Sequence, residues 1–306
     1  MRKLPIGRFL LPAFVLLASV ARVAAADPYR DAGSSAFAFL KTETSARAAA
    51  LGSTGLLAAG SMGLFANPAL VGGQSARISA THNEWLGSAR EECVCWVGPT
   101  GPFFSSLGVR FLHVSDIEMR ESATSEPLST FSAYDMAFQA AAAARLGAFD
   151  VGLGAKLLRE KIWREDSWGF CFDAGFRYEP WPFIQLAGAV LHVGPSFTLA
   201  DEPHRMPMSW SLAGAATGDL PGLPGEAMLI ARVSKSIDSR PDLGLGIEYL
   251  PAGWLALRGG YRPLHDSESF SAGLGLRAGG WTLDYAMAPY ASSLGTTHRF
   301  SLARSI

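Results

Sequence analysis

The sequence predicts an all-β fold, a transmembrane antiparallel β-barrel of about 14 strands behind an N-terminal plug or hatch segment. Three observations lead there. Apolar and polar side chains alternate in segment after segment. The connections between those segments are alternately short and long. A leader of secretory type opens the chain.

The leader occupies residues 1–26. Arg2, Lys3 and Arg8 make a basic start, residues 9–20 are apolar, and Ala24, Ala25 and Ala26 form the small-residue pattern of a cleavage site. This apolar run is too short to span a bilayer comfortably, and no later segment offers ~18 consecutive apolar residues. It therefore reads as a signal peptide cleaved near Ala26. Cleavage removes Arg2, Lys3, Arg8 and Arg22 and no acid, so the mature chain is mildly acidic. A nucleic-acid partner calls for a basic patch, and this balance argues against one. Cys93, Cys95 and Cys171 are an odd number and make no complete disulfide framework. They read as small apolar or lumen-facing residues.

The clearest strand runs from residue 168 to 178. Trp168, Phe170, Phe172, Ala174, Phe176 and Tyr178 fall on one face, and Gly169, Cys171, Asp173, Gly175 and Arg177 on the other. A strand turns over at every residue, so the run is a ribbon with an aromatic face and a small, polar face. That is the pattern of lipid outside and a polar lumen inside. Residues 149–160 repeat it, with Asp150, Gly152, Gly154, Lys156 and Glu160 inward and Leu158 as an exception. So do Glu248, Arg258, Arg262, Arg277 and Asp284 in the later segments. Lys156, Asp173, Arg177, Glu248, Arg258, Arg262, Arg277 and Asp284 are the candidate lumen charges. Their mixed signs allow pairing across neighbouring strands, which lowers the cost of burial. The strands fall near 76–83, 91–98, 104–113, 131–143, 149–160, 166–178, 183–193, 207–217, 226–236, 241–250, 253–262, 268–278, 281–288 and 297–305.

Residues 98–102, 145–148, 179–182, 251–253 and 278–280 are short Gly- and Pro-rich turns. The connections between them, such as 114–130, 194–206 and 289–296, are longer and more polar, and 218–225 breaks the rule. Tight periplasmic turns and larger outer loops have this rhythm. A soluble secreted β-domain also has hairpins, but it does not explain outward aromatic faces ending in Trp or Tyr, a membrane-interface habit. Arg304 is awkward, because it shares a face with Phe300 and Leu302; near a strand end it can snorkel to the interface.

Residues 27–73 do not alternate. They are rich in Ala and Gly, with a short helix expected over 45–51, a stop at Gly52 and a turn at Asn67-Pro68. The division is thus 1–26 signal peptide, 27–73 plug, 74–306 barrel. Asn67, Pro68 and Ala69 form the candidate hatch turn, with Asn67 closing an Asx-type turn onto the backbone. His82 and Trp85 read as outer-loop and interface residues.

Residues 33–40 (Gly-Ser-Ser-Ala-Phe-Ala-Phe-Leu), 45–52 (Ser-Ala-Arg-Ala-Ala-Ala-Leu-Gly), 67–70 (Asn-Pro-Ala-Leu) and 82–86 (His-Asn-Glu-Trp-Leu) carry a family resemblance. This stretch resembles the opening of the PorV/PorQ-type outer-membrane proteins, which are in turn similar to FadL-type transporters of hydrophobic compounds. The resemblance implies fourteen strands with an N-terminal hatch in the outer membrane of a diderm bacterium. The acidic residue often found before Asn-Pro-Ala in that family is absent, since residues 60–66 read Gly-Ser-Met-Gly-Leu-Phe-Ala. By resemblance to PorV, the barrel would be an accessory of type IX-like secretion, with secreted cargo proteins and a sortase as partners beside outer-membrane lipid. The alternative is FadL-like passage of a small hydrophobic ligand.

No catalytic constellation stands out. There is no Gly-x-Ser-x-Gly elbow, and the six His residues have no metal-ligand spacing. Asp135, Asp173, Glu248 and Asp284 could imitate a site, but nothing groups them with a nucleophile. The expectation is a non-enzyme without cofactor or metal.

Overall fold

The computed structural model describes residues 32–199, 202–265, 267–291 and 294–306, so the expected signal peptide lies outside the described residues. Fourteen strands close into one antiparallel barrel. In chain order they begin with β1 (Arg77–Glu84), β2 (Ala89–Thr100), β3 (Phe103–Met119), β4 (Ser129–Leu146), β5 (Phe149–Ile162), β6 (Glu165–Trp181) and β7 (Ile184–Val193). A small hairpin, β8 (Phe197–Leu199) with β9 (Glu202–His204), is a separate two-stranded sheet, with Phe197 packed against Phe37. The wall resumes with β10 (Ser209–Asp219), β11 (Glu226–Ser236), β12 (Asp242–Ala252), β13 (Leu255–Tyr261), β14 (Phe270–Ala278), β15 (Trp281–Tyr290) and β16 (Gly295–Ser305). Closure is made by β1 on β16, from Arg77 opposite Ser305 to Glu84 opposite His298. A closed wall leaves no unpaired edge, the condition that a bilayer imposes on strands.

Each of the fourteen expected segments is a barrel strand, and the two faces fall as the alternation requires. Trp168, Phe170 and Phe172 are 53%, 50% and 55% exposed, while Cys171 and Asp173 are 0% and 3% exposed. Aromatic side chains gather near both rims. Phe149 stacks on Tyr178 at 4.1 Å beside the short turns, and Tyr261 stacks on Phe270 at 4.8 Å beside the long loops. Arg304 resolves in the same way. Its guanidinium lies 4.9 Å from the Trp281 ring and donates to Gly279 O at 2.7 Å, leaving the apolar band for the turn-end rim.

The strands differ from the expectation in length. β3 and β4 run to Met119 and back from Ser129, so the loop expected over 114–130 shrinks to 120–128. The alternation hides this because the register shifts between Val114 and Ile117, with Asp116 at φ 57°. A spanning strand needs only about 9–11 residues. β3, β4 and β6, at 17, 18 and 17 residues, therefore extend the wall well past that at the loop end.

Residues 35–72 lie across the lumen. Three one-turn helices, α1 (Ala46–Ala49), α2 (Gly55–Ala58) and α3 (Gly63–Ala66), are joined by 3-10 turns. Helices so short do not persist alone; packing against the wall sustains them. α1 faces β14, β15 and β16, α2 faces β7 and β10, and α3 faces β3 and β4. The 3-10 turn Pro68–Val71 meets β4, β5 and β6. The segment thus touches the wall around most of its circumference. The apolar core sits between this segment and the inner wall, with Leu51, Leu56, Leu64 and Leu70 packed against Cys93, Cys95, Ala141 and Ala189.

Candidate functional site in the barrel lumen

The inner wall receives the lumenal segment through glycines. An added Cβ at Gly152 would meet Ala69 N at 2.4 Å, and one at Gly175 would meet Asn67 Oδ1 at 2.1 Å. These two inward positions on β5 and β6 are the space in which the Asn-Pro-Ala turn sits. A second socket, on β12 and β13, takes the stop of α1. A Cβ at Gly244 would meet Gly52 O at 2.1 Å, and one at Gly260 would meet Gly52 N at 2.1 Å. Leu158, the exception to the alternation, is a third contact. It is buried with Phe37, Phe39 and Leu40 of the segment, so an apolar residue on the inner face is what this site requires.

Asn67 is fully buried and uses its whole amide. Its Oδ1 accepts from Ala69 N at 3.0 Å, the Asx-type turn, while Nδ2 donates to Leu56 O and to Phe176 O, both at 3.2 Å. One side chain thus closes the turn, ties it to α2 and fixes both to β6. Pro68 occupies the first position of the following 3-10 turn, where its missing N–H costs nothing.

The lumen charges form separate clusters. Lys156 pairs with Asp173 at 2.6 Å, and Asp173 also accepts from Gln139 Nε2 at 3.0 Å and His192 N at 2.9 Å. Arg177 holds Asp150 and donates to Gly72 O at 3.2 Å, so the end of the lumenal segment is tied to β6. Glu248 takes Arg258 at 2.6 Å from the directly opposed position on β13. Arg258 then reaches Asp284 on β15 at 2.7 Å across Gly275, where any Cβ would lie 2.5 Å from the guanidinium. Arg262 joins Asp242 at 3.0 Å to Glu268 at 2.7 Å. Arg277 is exposed, lines the turn-end cavity and has no ion-pair partner among the described residues. Cross-strand pairing was expected; the partners contributed by the lumenal segment were not.

The foremost of those partners is Arg47 on α1. Its Nε donates to Glu248 Oε2 at 2.9 Å and its second amino group to Oε1 at 2.6 Å, a forked pair. At the loop end Lys41 pairs with Asp238 at 2.7 Å, and Ser35 Oγ donates to the same carboxylate. Arg110 binds Glu91 and Thr42 of the segment. The carboxylate of Glu43, inside the segment, accepts from Ser45 N and Gly55 N at 3.1 Å each. Burial raises its pKa above the ordinary value, and the Ser45 N–H together with nearby Arg232 and Arg299 offsets only part of that rise.

Trp85 differs from the expectation. It lies against the lumen rather than in the interface, with the Arg299 guanidinium 4.4 Å from its ring. The segment separates two cavities. One of about 580 Å³ opens among loop-end residues such as Trp85, Arg240, His265 and Tyr290. The other, of about 280 Å³, lies among turn-end residues such as Arg77, Arg277 and Ala303. Among the described residues no group of three or more His, Cys, Asp or Glu is arranged to hold a metal.

No family model and no curated protein matches the sequence. Solved structures do share the fold. The toluene transporter TbuX of Ralstonia pickettii is 12% identical with a TM-score of 0.56, over 87% of this chain and 99% of that one. A deltaS2S3 mutant of the monoaromatic hydrocarbon channel TodX is 10% identical with a TM-score of 0.63, over 86% and 99%. A FadL homologue of Pseudomonas aeruginosa is 11% identical with a TM-score of 0.51, over 85% and 97%. At this identity the likeness is one of fold: a closed fourteen-stranded antiparallel barrel.

Proposed function

We propose that this protein is a gated outer-membrane channel for small hydrophobic molecules, with residues 27–73 as the plug and 74–306 as the barrel. In this reading residues 1–26 are a cleaved signal peptide, and Asn67, Pro68 and Ala69 are the hatch turn. The observation that carries it is the lumenal segment itself, which meets the wall on most sides and divides a turn-end cavity from a loop-end cavity. Beside the apolar core it shares with the wall, polar ties hold it, Arg47 with Glu248, Asn67 with Phe176 O, and Arg177 with Gly72 O. The fold shared with a toluene transporter and a monoaromatic hydrocarbon channel supports the same reading, and supports a non-enzymatic role.

The secretion role implied by the PorV/PorQ resemblance, handing cargo to a sortase, rests on residues 33–86 alone and has no counterpart among these structural neighbours. The test is flux. Liposomes carrying the purified barrel should take up toluene faster than liposomes carrying an unrelated closed barrel. Equal uptake by the two would reject the channel reading, and co-purification of cargo or a sortase from native membranes would favour the alternative.

A further inference from the structure

Beside the loop-end cavity lie buried hydrogen-bond donors that have no partner among the described residues. Arg299, on the inner face of β16, is 1% exposed and has no carboxylate partner among the described residues. Its Nη1 makes a long contact to Thr297 Oγ1 at 3.4 Å, and its Nε has no partner among the described residues. The indole Nε1 of Trp85, whose ring lies 4.4 Å from that guanidinium, is buried and unpartnered as well. Both residues line the cavity of about 580 Å³. An unpaired buried cation is expensive, and so is each orphan donor.

The acids lining the same cavity are already engaged. Glu43 accepts two backbone amides, from Ser45 and Gly55. Asp242 is held by Arg232 and Arg262, and Glu268 by Arg262 and the Tyr290 hydroxyl. The remaining charge is therefore positive. Leu40, Leu56, Phe65 and Leu191 give the cavity an apolar side. A pocket of a few hundred Å³ with an apolar side and a small set of convergent donors suits a compact amphiphile.

We propose that this cavity binds the carboxylate of a compact organic acid, with Arg299 and the indole N–H of Trp85 as its donors and the leucine side receiving the apolar body. Arg299 supplies a charge-assisted hydrogen bond, and Trp85 both donates and orients the guanidinium through its ring face. As the identity of a transported solute this rests on the channel reading; as a binding site it stands apart from it.

The test is calorimetric titration of the purified full-length barrel with benzoate and with benzyl alcohol, an uncharged molecule of similar size. Benzoate should bind about tenfold or more tightly than benzyl alcohol, and Arg299→Gln should remove that advantage while leaving benzyl alcohol within about twofold. Arg299→Lys should retain most of the preference. Equal binding of the two probes to the wild-type barrel overturns the proposal without recourse to any variant. So does an Arg299→Gln protein that keeps heat-modifiable mobility and the full benzoate preference. Toluene flux is measured on the same preparation. Flux without a benzoate preference rejects the carboxylate site alone, whereas a benzoate preference without flux of either compound rejects the channel reading alone.

Discussion

Arg47 and Glu248 are joined by two parallel hydrogen bonds, of 2.9 and 2.6 Å, between the lumenal segment and the inner face of β12. Glu248 is also the first member of a chain that runs through Arg258 to Asp284, so the plug and three strands of the wall share one ionic network. Glu248→Gln should destabilise the folded protein by about 3 kcal/mol, because the fully buried Arg258 and the part-exposed Arg47 both lose a charged partner. Urea unfolding in detergent measures this. A double-mutant cycle with Arg47→Met isolates the latch, and a coupling near zero would show that the pair does not hold the plug.

Alanine at Gly175 or Gly152 should push the Asn-Pro-Ala turn off the wall, since the added methyl would overlap Asn67 Oδ1 or Ala69 N. Overpacking of this kind costs about 1–3 kcal/mol. Limited proteolysis reads it out: cleavage within residues 53–72 should quicken in both variants, while Gly253→Ala, where a Cβ meets nothing within 4 Å, should behave as wild type.

Asn67→Ala removes the turn acceptor and two donors together, leaving Leu56 O and Phe176 O without them. The expected loss is about 2–3 kcal/mol. Asn67→Asp keeps the acceptor for Ala69 N and loses both donors, so it should still be destabilised. If Asn67→Asp matches wild type in urea, the tie between turn and wall carries no energy.

Glu43 predicts a pH dependence. Its folded-state pKa lies above its ordinary value of 4.5 because burial disfavours the carboxylate. The folded state therefore binds the proton more tightly than the unfolded chain. That contribution to stability is complete below pH 4.5 and is lost as pH rises through the higher folded-state value. Glu43→Gln should flatten this part of the profile, with its midpoint in urea rising relative to wild type as pH increases. A profile with the same slope in both proteins contradicts the assignment.

Much of this was legible because a period of two fixes both a strand and its faces. All fourteen staves and the inward side of Lys156, Asp173, Arg177, Glu248, Arg258 and Asp284 follow from alternation. What alternation cannot give is the partner across the lumen. Arg47 sits in an Ala-rich run and looks like a solvated helix residue, yet it meets a carboxylate 201 positions away. The inward glycines read as small lining residues, whereas Gly152, Gly244 and Gly260 are sockets for backbone and Gly175 is the socket for the Asn67 amide. Trp85 follows the end of β1, where the period stops, so its direction was not available. The three-residue strands β8 and β9 are too short for any period to register.

The central claim is that the N-terminal segment closes an otherwise passable barrel, and single-channel conductance in planar bilayers tests it most directly. Wild-type protein should be nearly silent, and a variant lacking residues 36–66, shown by heat-modifiable mobility to be folded, should give stable open steps. A folded deletion variant as silent as wild type would contradict the account.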